Sequence, residues 1–374
     1  MQNCYDKRIF LCETRKLSYD SASFFLEQIQ NALEELGVQV DHCVVQEDGS
    51  DLERLEQYEN RSYDAILDMN SYLPRIVEDD GTPFLQRLQG PFYQYLVDHP
   101  LHVAPLLGQA TALQHVICLD PLHVTYCQEH YPSLASAQAI PLAGTVARQP
   151  ALSFAERKQA VLFPGTYMPL PYYEQKLQAV DPRLPKVAEE MAESYMQGET
   201  VSPCNGLPEP LQTLDAMRYT DRYIREYSRQ KILYAVAGTR VTLHVCGAHW
   251  EQADFLPASV KRLPAMRYAD LLQLMQQYQV LLNVQPLFVH AFHDRVLNGM
   301  ANGMVVLSDT VSDVREQTVP IVSYTRKNLQ EDLDTFISYF HTSGRLERQA
   351  EAGYQFYKEQ GDWRTWCERF LSLL

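Results

Sequence analysis

Residues 290–310 read HAFHDRVLNGMANGMVVLSDT. Two histidines, an aspartate and an arginine crowd ahead of a small-residue turn, GMANG, and a β-branched run, MVVLSD. The apolar segment VLLNVQP (280–286) stands just before them. Together they make a strand–helix–strand unit with its polar residues massed at one end, the end at which α/β folds hold ligands.

Working outward, further segments repeat the pattern. AVLFPGTY (160–167) and VTLHVCGAHW (241–250) read as strands ending in Gly turns, and YADLLQLMQQY (268–278) as a helix. The long stretch 172–236, broken at VSPCNGLPEP (201–210), exceeds a simple crossover and reads as a helical insertion. The first 150 residues alternate likewise. RIFLCE (8–13), VQVDHCVV (38–45), YDAILDMN (63–70) and FYQYLVDHP (92–100) are strand-like, and SFFLEQIQNALEELG (23–37) and LERLEQY (52–58) are helix-like. Strands alternating with helices imply parallel sheets with right-handed crossovers. The polar segment ARQPALSFAERKQ (147–159) reads as a linker, and GDWRTWCERFLSLL (361–374) as an amphipathic helix. The expected organisation is an N-terminal α/β domain over 1–150, a second over 151–345 and a helical segment over 346–374. A ligand cleft is expected between the domains, at the carboxyl ends of the strands.

Composition narrows the field. The chain has 374 residues, 46% of them hydrophobic and 21% charged, with a formal net charge of −15 and no basic block. That balance argues against a nucleic-acid partner. The eight cysteines form no CxxC pair and no disulfide spacing, and Cys118 and Cys246 lie in apolar runs as small buried hydrophobes. A reducing, cytoplasmic compartment is the expectation, without a signal peptide or transmembrane run. No GxGxxG follows the first strand, and no GxxxxGK[ST] or HExxH occurs.

Four stretches carry a family resemblance: VLFPGTYMP (161–169), YTDRYIREYSRQKIL (219–233), LHVCGAHWE (243–251) and LLNVQPLFVHAFHDRVLNGMANGMVVLSD (281–309). In order and spacing they resemble the bacterial CgeB-like branch of the GT-B glycosyltransferases, in the glycosyltransferase group 1 superfamily. YQYLVDHP (93–100) and VICLDPLHVTYCQEHYP (116–132) are similar to that family's first domain. The resemblance implies an α/β fold of GT-B type, with two Rossmann-like domains facing a cleft. It also implies a nucleotide-sugar donor, UDP-linked, held mainly by the second domain without a metal, and an acceptor that is a protein, a glycan or a small molecule. Retention of anomeric configuration follows the branch's kinship. In that group the loop and helix carry two glutamates eight positions apart, one beside the sugar and one on the ribose. His290 and Asn298 stand at those positions here.

Each candidate side chain has a physical rationale. A diphosphate calls for cations and orphan backbone N–H groups, which a helix beginning near His293 supplies. His293 is expected to donate to phosphate or a sugar hydroxyl, and Arg295 either to pair with phosphate or to brace the loop. Asp294 is expected either to cap the helix or to contact the donor. Asn298 retains hydrogen-bonding capacity toward a ribose diol but no charge. Gly165 and Thr166 allow close backbone approach to phosphate or simply end a strand. Gly247 marks a second turn, and Trp250 beyond it either stacks on a base or packs. Arg267 and Tyr268 stand where the fold receives the base edge. Arg222, Arg225 and Arg229 share one helical face, either solvated or lining a cleft. In the first domain Asp98 and His99 end a strand and are candidates to act on the transferred sugar, the alternative being a helix-capping pair; Glu13, Thr14 and Arg15 are weaker. The leading function is a metal-independent glycosyltransferase. The alternatives are a non-catalytic nucleotide-sugar binding or interaction protein and a nucleotide-sugar epimerase.

Overall fold

The computed structural model describes residues 7–14, 21–46, 53–70, 73–77, 81–108, 113–149, 151–285, 287–309, 319–340 and 344–374. Arg15, Pro286 and Thr310, and the side chain of Thr14, lie outside the described set. The chain forms two compact units. Unit 1 comprises Met1–Ala143, Arg267–Ala269 and Gly361–Leu374, and unit 2 comprises Gly144–Met266 and Asp270–Gln360.

Among the described residues, unit 1 holds six strands: β1 (Arg8–Thr14), β2 (Gln39–Val45), β3 (Ala65–Met69), β4 (Phe92–Leu96), β5 (Gln114–Cys118) and β6 (Ser136–Ala139). They run parallel in the order β2-β1-β3-β4-β5-β6. Every residue of β3 and β4 is buried, as expected of parallel strands covered on both faces. The one amide in β4, Gln94, accepts a hydrogen bond from Gln114 of β5 at 2.7 Å, so its side-chain oxygen is not orphaned. Helix α1 (Ser21–Glu35) ends before Gly37, whose φ of 84° suits a residue without a Cβ. The expected helix at 52–58 shrinks to one turn, α2 (Glu53–Glu56). Further along come α3 (Ala104–Leu107) and α4 (Pro121–His130), the latter capped by Asp120 with Pro121 in its first turn.

Unit 2 holds β7 (Lys158–Pro164), β8 (Leu243–Cys246), β9 (Lys261–Leu263), β10 (Tyr278–Asn283), β11 (Val305–Asp309) and β12 (Val322–Tyr324). Its parallel order is β12-β11-β10-β7-β8-β9. The order reverses between β7 and β10, the Rossmann arrangement with its switch point at that pair. The expected insertion between β7 and β8 is present as α5 (Leu170–Val180), α6 (Leu184–Met196), α7 (Pro203–Gly206) and α8 (Leu214–Ala237). It buries a core of its own around Leu177, Leu184, Ala188, Leu211 and Ile224. Next come α9 (Tyr268–Met275), α10 (Asp294–Ala301), α11 (Leu329–Phe340) and α12 (Arg345–Gln360).

The last helix, α13 (Trp363–Leu371), corrects the expectation of one C-terminal segment over 346–374. It packs within unit 1, where Trp363 meets Phe25, Trp366 meets Tyr95, and Phe370 meets Tyr93 edge-on. Its apolar face is as wide as its sequence suggested, and the sheet of unit 1 supplies the matching surface. Helix α12, by contrast, packs in unit 2 against α10 and β11. The expected linker is also pinned rather than free: unit 2 begins at Gly144, and residues 145–147 bond to α10.

Candidate functional site

At the switch point of unit 2, β7 gives way to Gly165 and Thr166, and β10 to Val284 and Gln285. Arg295 reaches back from α10 into this junction. It donates to Asn283 Oδ1 at 3.0 Å and to the Val284 carbonyl at 3.3 Å, and is only 8% exposed. Its guanidinium lies 5.2 Å from the ring centroid of Phe163. Of the two roles expected for Arg295, bracing the loop is the one its contacts describe.

A second guanidinium meets the same ring. Arg229 of α8 lies 5.6 Å from the Phe163 centroid, donates to the Thr166 carbonyl at 2.7 Å and pairs with Glu226 at 2.5 Å. Cations over an aromatic face gain electrostatically when desolvated. Burial pushes the Glu226 carboxyl up, against the pull of Arg229. The solvated-face reading of the arginine stripe is therefore corrected: Arg225 is buried against Asp221, and Arg229 is largely covered at the end of β7. Arg222 and Arg229 are half-buried, and Arg225 is buried.

His293, not Asp294, caps α10, a second correction. Its ring Nδ1 accepts the Arg295 N–H at 3.3 Å, while Asp294 is the first helical residue. An Asp one position further on lies inside the first turn, where its charge still favours the helix dipole. The Asp294 carboxylate contacts His293 Nδ1 and lies 3.5 Å from Asn298 Nδ2. Burial, then the positive charge of Arg295, pushes the His293 imidazole below its ordinary value, with Asp294 opposing. His293 keeps 30% of its side chain exposed.

Asn298 departs from the expected ribose contact. It is fully buried, and its Oδ1 accepts the Thr145 N–H at 2.8 Å. One turn on, Asn302 accepts from Ala147 N and donates to the Thr145 carbonyl. The two amides clamp residues 145–147 along α10, and Gly144 runs so close that an added Cβ would lie 2.6 Å from the Leu297 carbonyl. A side chain committed to backbone in this way has no face left for a ribose. His290 is half-buried in the loop ahead of α10.

Trp250 packs rather than stacks on a base. It is 1% exposed, lies over Tyr167 at 5.3 Å and donates Nε1–H to the Gly165 carbonyl at 2.7 Å. Gly247, with φ of 149°, lets β8 close on the same carbonyl, into which any Cβ would project. The Gly165–Thr166 turn is thus held from three sides, by Trp250, Gly247 and Arg229. Tyr268 belongs to unit 1, its ring 5.1 Å from both Phe24 and Phe25, and Arg267 beside it is exposed.

In unit 1, His99 caps the short helical turn Pro100–Val103, its Nδ1 accepting the Leu101 N–H at 3.1 Å. Its ring meets His123 at 4.5 Å and Tyr126 at 4.8 Å, and Asp98 stands half-buried beside it. Glu13 is buried against His42 at 3.1 Å.

The sequence reading missed Gln285, a hub at the head of the sheet. Its N–H donates to Asp309 Oδ1 and its Nε2 to the Ala291 carbonyl, while its Oε1 accepts from His293 N and Asn283 Nδ2. These bonds tie the ends of β10 and β11 to the loop ahead of α10. Its only signal was a glutamine at the end of an apolar run. Among the described residues, no three His, Cys, Asp or Glu side chains are grouped to hold a metal ion.

A family model described as glycosyl transferase-like matches residues 225–372, under half of the chain. No curated protein matches. Among solved structures, the chain is similar to an alpha-glucosyltransferase in complex with UDP-glucose and DNA containing an abasic site. That match has 9% identity, covers 98% of each chain and has a TM-score of 0.58. It is also similar to Anabaena HepE in complex with UDP-glucose, at 14% identity over 98% of this chain and 100% of that one, TM-score 0.52. Sucrose-phosphate synthase from Thermosynechococcus elongatus matches at 13% identity over 98% of both, TM-score 0.50. Likeness at these identities is one of fold. The two doubly wound parallel sheets are those of the GT-B glycosyltransferases.

Proposed function

We propose that the chain is a glycosyltransferase that takes its sugar from a nucleotide-sugar donor, UDP-linked, and belongs to the CgeB-like branch. The observation that carries this reading is the convergence of Arg229, Arg295, His293 and the start of α10 at the β7/β10 switch point. Breaking a glycosidic phosphate bond leaves negative charge on the diphosphate. Fixed cations and a helix N-terminus, already held in place by Thr166, Asn283 and Val284, stabilise that charge without reorganising. Arg229 and His293 are the groups proposed to face the diphosphate, with Gly165 and Thr166 giving backbone approach and Arg295 holding the frame. Transfer would proceed on these groups without a metal and with retention of configuration. Asp98 and His99 of unit 1 are proposed to act on the transferred sugar. The acceptor would be a protein, glycan or small molecule in the cytoplasm. The net charge of −15 disfavours a nucleic acid in that role. Among the described residues no helix is long and apolar enough to cross a membrane.

A second reading, a donor-binding protein without transfer, is favoured by one observation. Asn298, where the family places a glutamate, is spent on Thr145. A thermal-shift panel of nucleotide sugars, with and without EDTA, followed by donor hydrolysis, separates the two. Stabilisation with hydrolysis supports transfer, and stabilisation without hydrolysis supports the binding protein. A change of sugar configuration without transfer would point to the epimerase. The absence of any stabilisation overturns the donor site, and loss of binding in EDTA overturns metal independence.

A further inference from the structure

A cavity of about 500 Å³ lies in unit 2 beyond the carboxyl ends of β11 and β12, two strands from the switch point. That volume suits a small molecule. Tyr195 from the end of α6, Thr200 and Val201 from the insertion, Phe288 from the loop ahead of α10, and Arg326 and Lys327 after β12 line it.

The charges of this cavity do not cancel. Arg326 donates Nη1–H to Asp309 at 3.0 Å and Nε–H to the Tyr195 carbonyl, and its guanidinium lies 3.8 Å from the Tyr195 ring centroid. Arg326 and Asp309 thus neutralise each other. Lys327 is exposed and pairs with no carboxylate among the described residues, which leaves one positive charge in surplus. The Tyr195 hydroxyl is buried without a hydrogen-bond partner, in a residue only 5% exposed. A buried hydroxyl left unpaired is costly unless something completes it. Val201, Leu287 and Phe288 supply an apolar wall.

We propose that this cavity is a second ligand site, for a small organic anion: one carboxylate or phosphate monoester head on a body the size of a sugar. Lys327 takes the head, and the apolar wall takes the body. Occupancy is felt at the switch point, because Asp309, held by Arg326, also accepts the Gln285 N–H, and Gln285 in turn accepts the His293 N–H. This second part rests on the reading of His293 as a donor contact, while the binding itself does not.

Calorimetry on the full chain tests it, with glucose 6-phosphate, glucuronate and inorganic phosphate as probes, each with and without saturating UDP. The expected result is one-to-one binding of an organic probe that persists in UDP and shifts UDP affinity at least threefold, by the reciprocity of coupled sites. Lys327→Glu and Thr200→Trp, both at exposed positions, are expected to weaken the probe at least tenfold while melting as the parent does. Arg229→Ala is expected to lose UDP and keep the probe, so failure of the donor reading remains distinguishable. Preference for the ester or for glucuronate identifies the head group. Three results overturn the site: no organic probe binding at millimolar concentration, displacement of the probe by UDP, or unchanged affinity in both cavity variants. Unshifted UDP affinity overturns the relay to His293.

Discussion

Asn298 Oδ1 accepts the backbone N–H of Thr145 at 2.8 Å, across 153 residues of sequence. The side chain expected to meet a ribose is an amide that holds its own backbone instead. Removing that acceptor leaves the buried Thr145 N–H without its partner. Asn298→Ala is expected to cost about 1–3 kcal/mol of stability, read as a lower urea midpoint at unchanged m-value. A loss below about 0.5 kcal/mol would mean the clamp carries no weight.

The two arginines on Phe163 are expected to part company under mutation. Arg229→Ala should weaken UDP tenfold or more by calorimetry, about 1.4 kcal/mol, because its guanidinium reaches the rim of the Gly165–Thr166 turn. Arg295→Ala should instead cost about 2 kcal/mol or more in folding, since Asn283 and Val284 lose their donor in the interior. Equal losses of UDP affinity with unchanged stability would sink this division.

Trp250→Phe separates packing from base recognition. Phenylalanine keeps most of the apolar contact but drops the bond to the Gly165 carbonyl. The expected cost is about 1–2 kcal/mol of stability with UDP affinity unchanged. A variant that melts as the parent does yet binds UDP tenfold more weakly would restore the stacking role.

His293 gives unit 2 a pH dependence. Burial lowers its folded pKa, while the unfolded value lies near 6.5. Below about 6.5 the unfolded chain therefore binds more protons, and stability falls as pH drops from there through the folded value. His293→Gln should flatten that part of the profile, measured by urea unfolding from about pH 7.5 to about 5.5. An unchanged slope in the variant would assign it to other groups.

The parallel architecture was legible because both its signals are local. Nearly continuous apolar runs such as AILDM mark strands buried on both faces, and the ends VLFPGTY and VCGAHW carry the glycines that turn them. Helix capping was only partly legible. The sequence showed a helix start at His293–Asp294, but which residue capped it depended on one residue's φ and ψ. Trp250 and Asn298 could not be assigned from spacing at all, because their partners lie 85 and 153 residues away.

The sequence by itself determined the alternation of elements, the helical insertion and the crowding of polar groups at the head of the second sheet. Periodicity and turn chemistry act over a few residues and are written in the chain. Only the tertiary structure decided which of those polar groups are spent inside the protein. Arg295 goes to Asn283, Trp250 to Gly165 and Asn298 to Thr145. A buried polar group must be satisfied by whatever folding brings near it, so its role is fixed by partners distant in sequence. His293 of that opening stretch and Arg229 of α8, themselves tied to the Arg295 N–H and the Thr166 carbonyl, are the two groups proposed to meet a ligand.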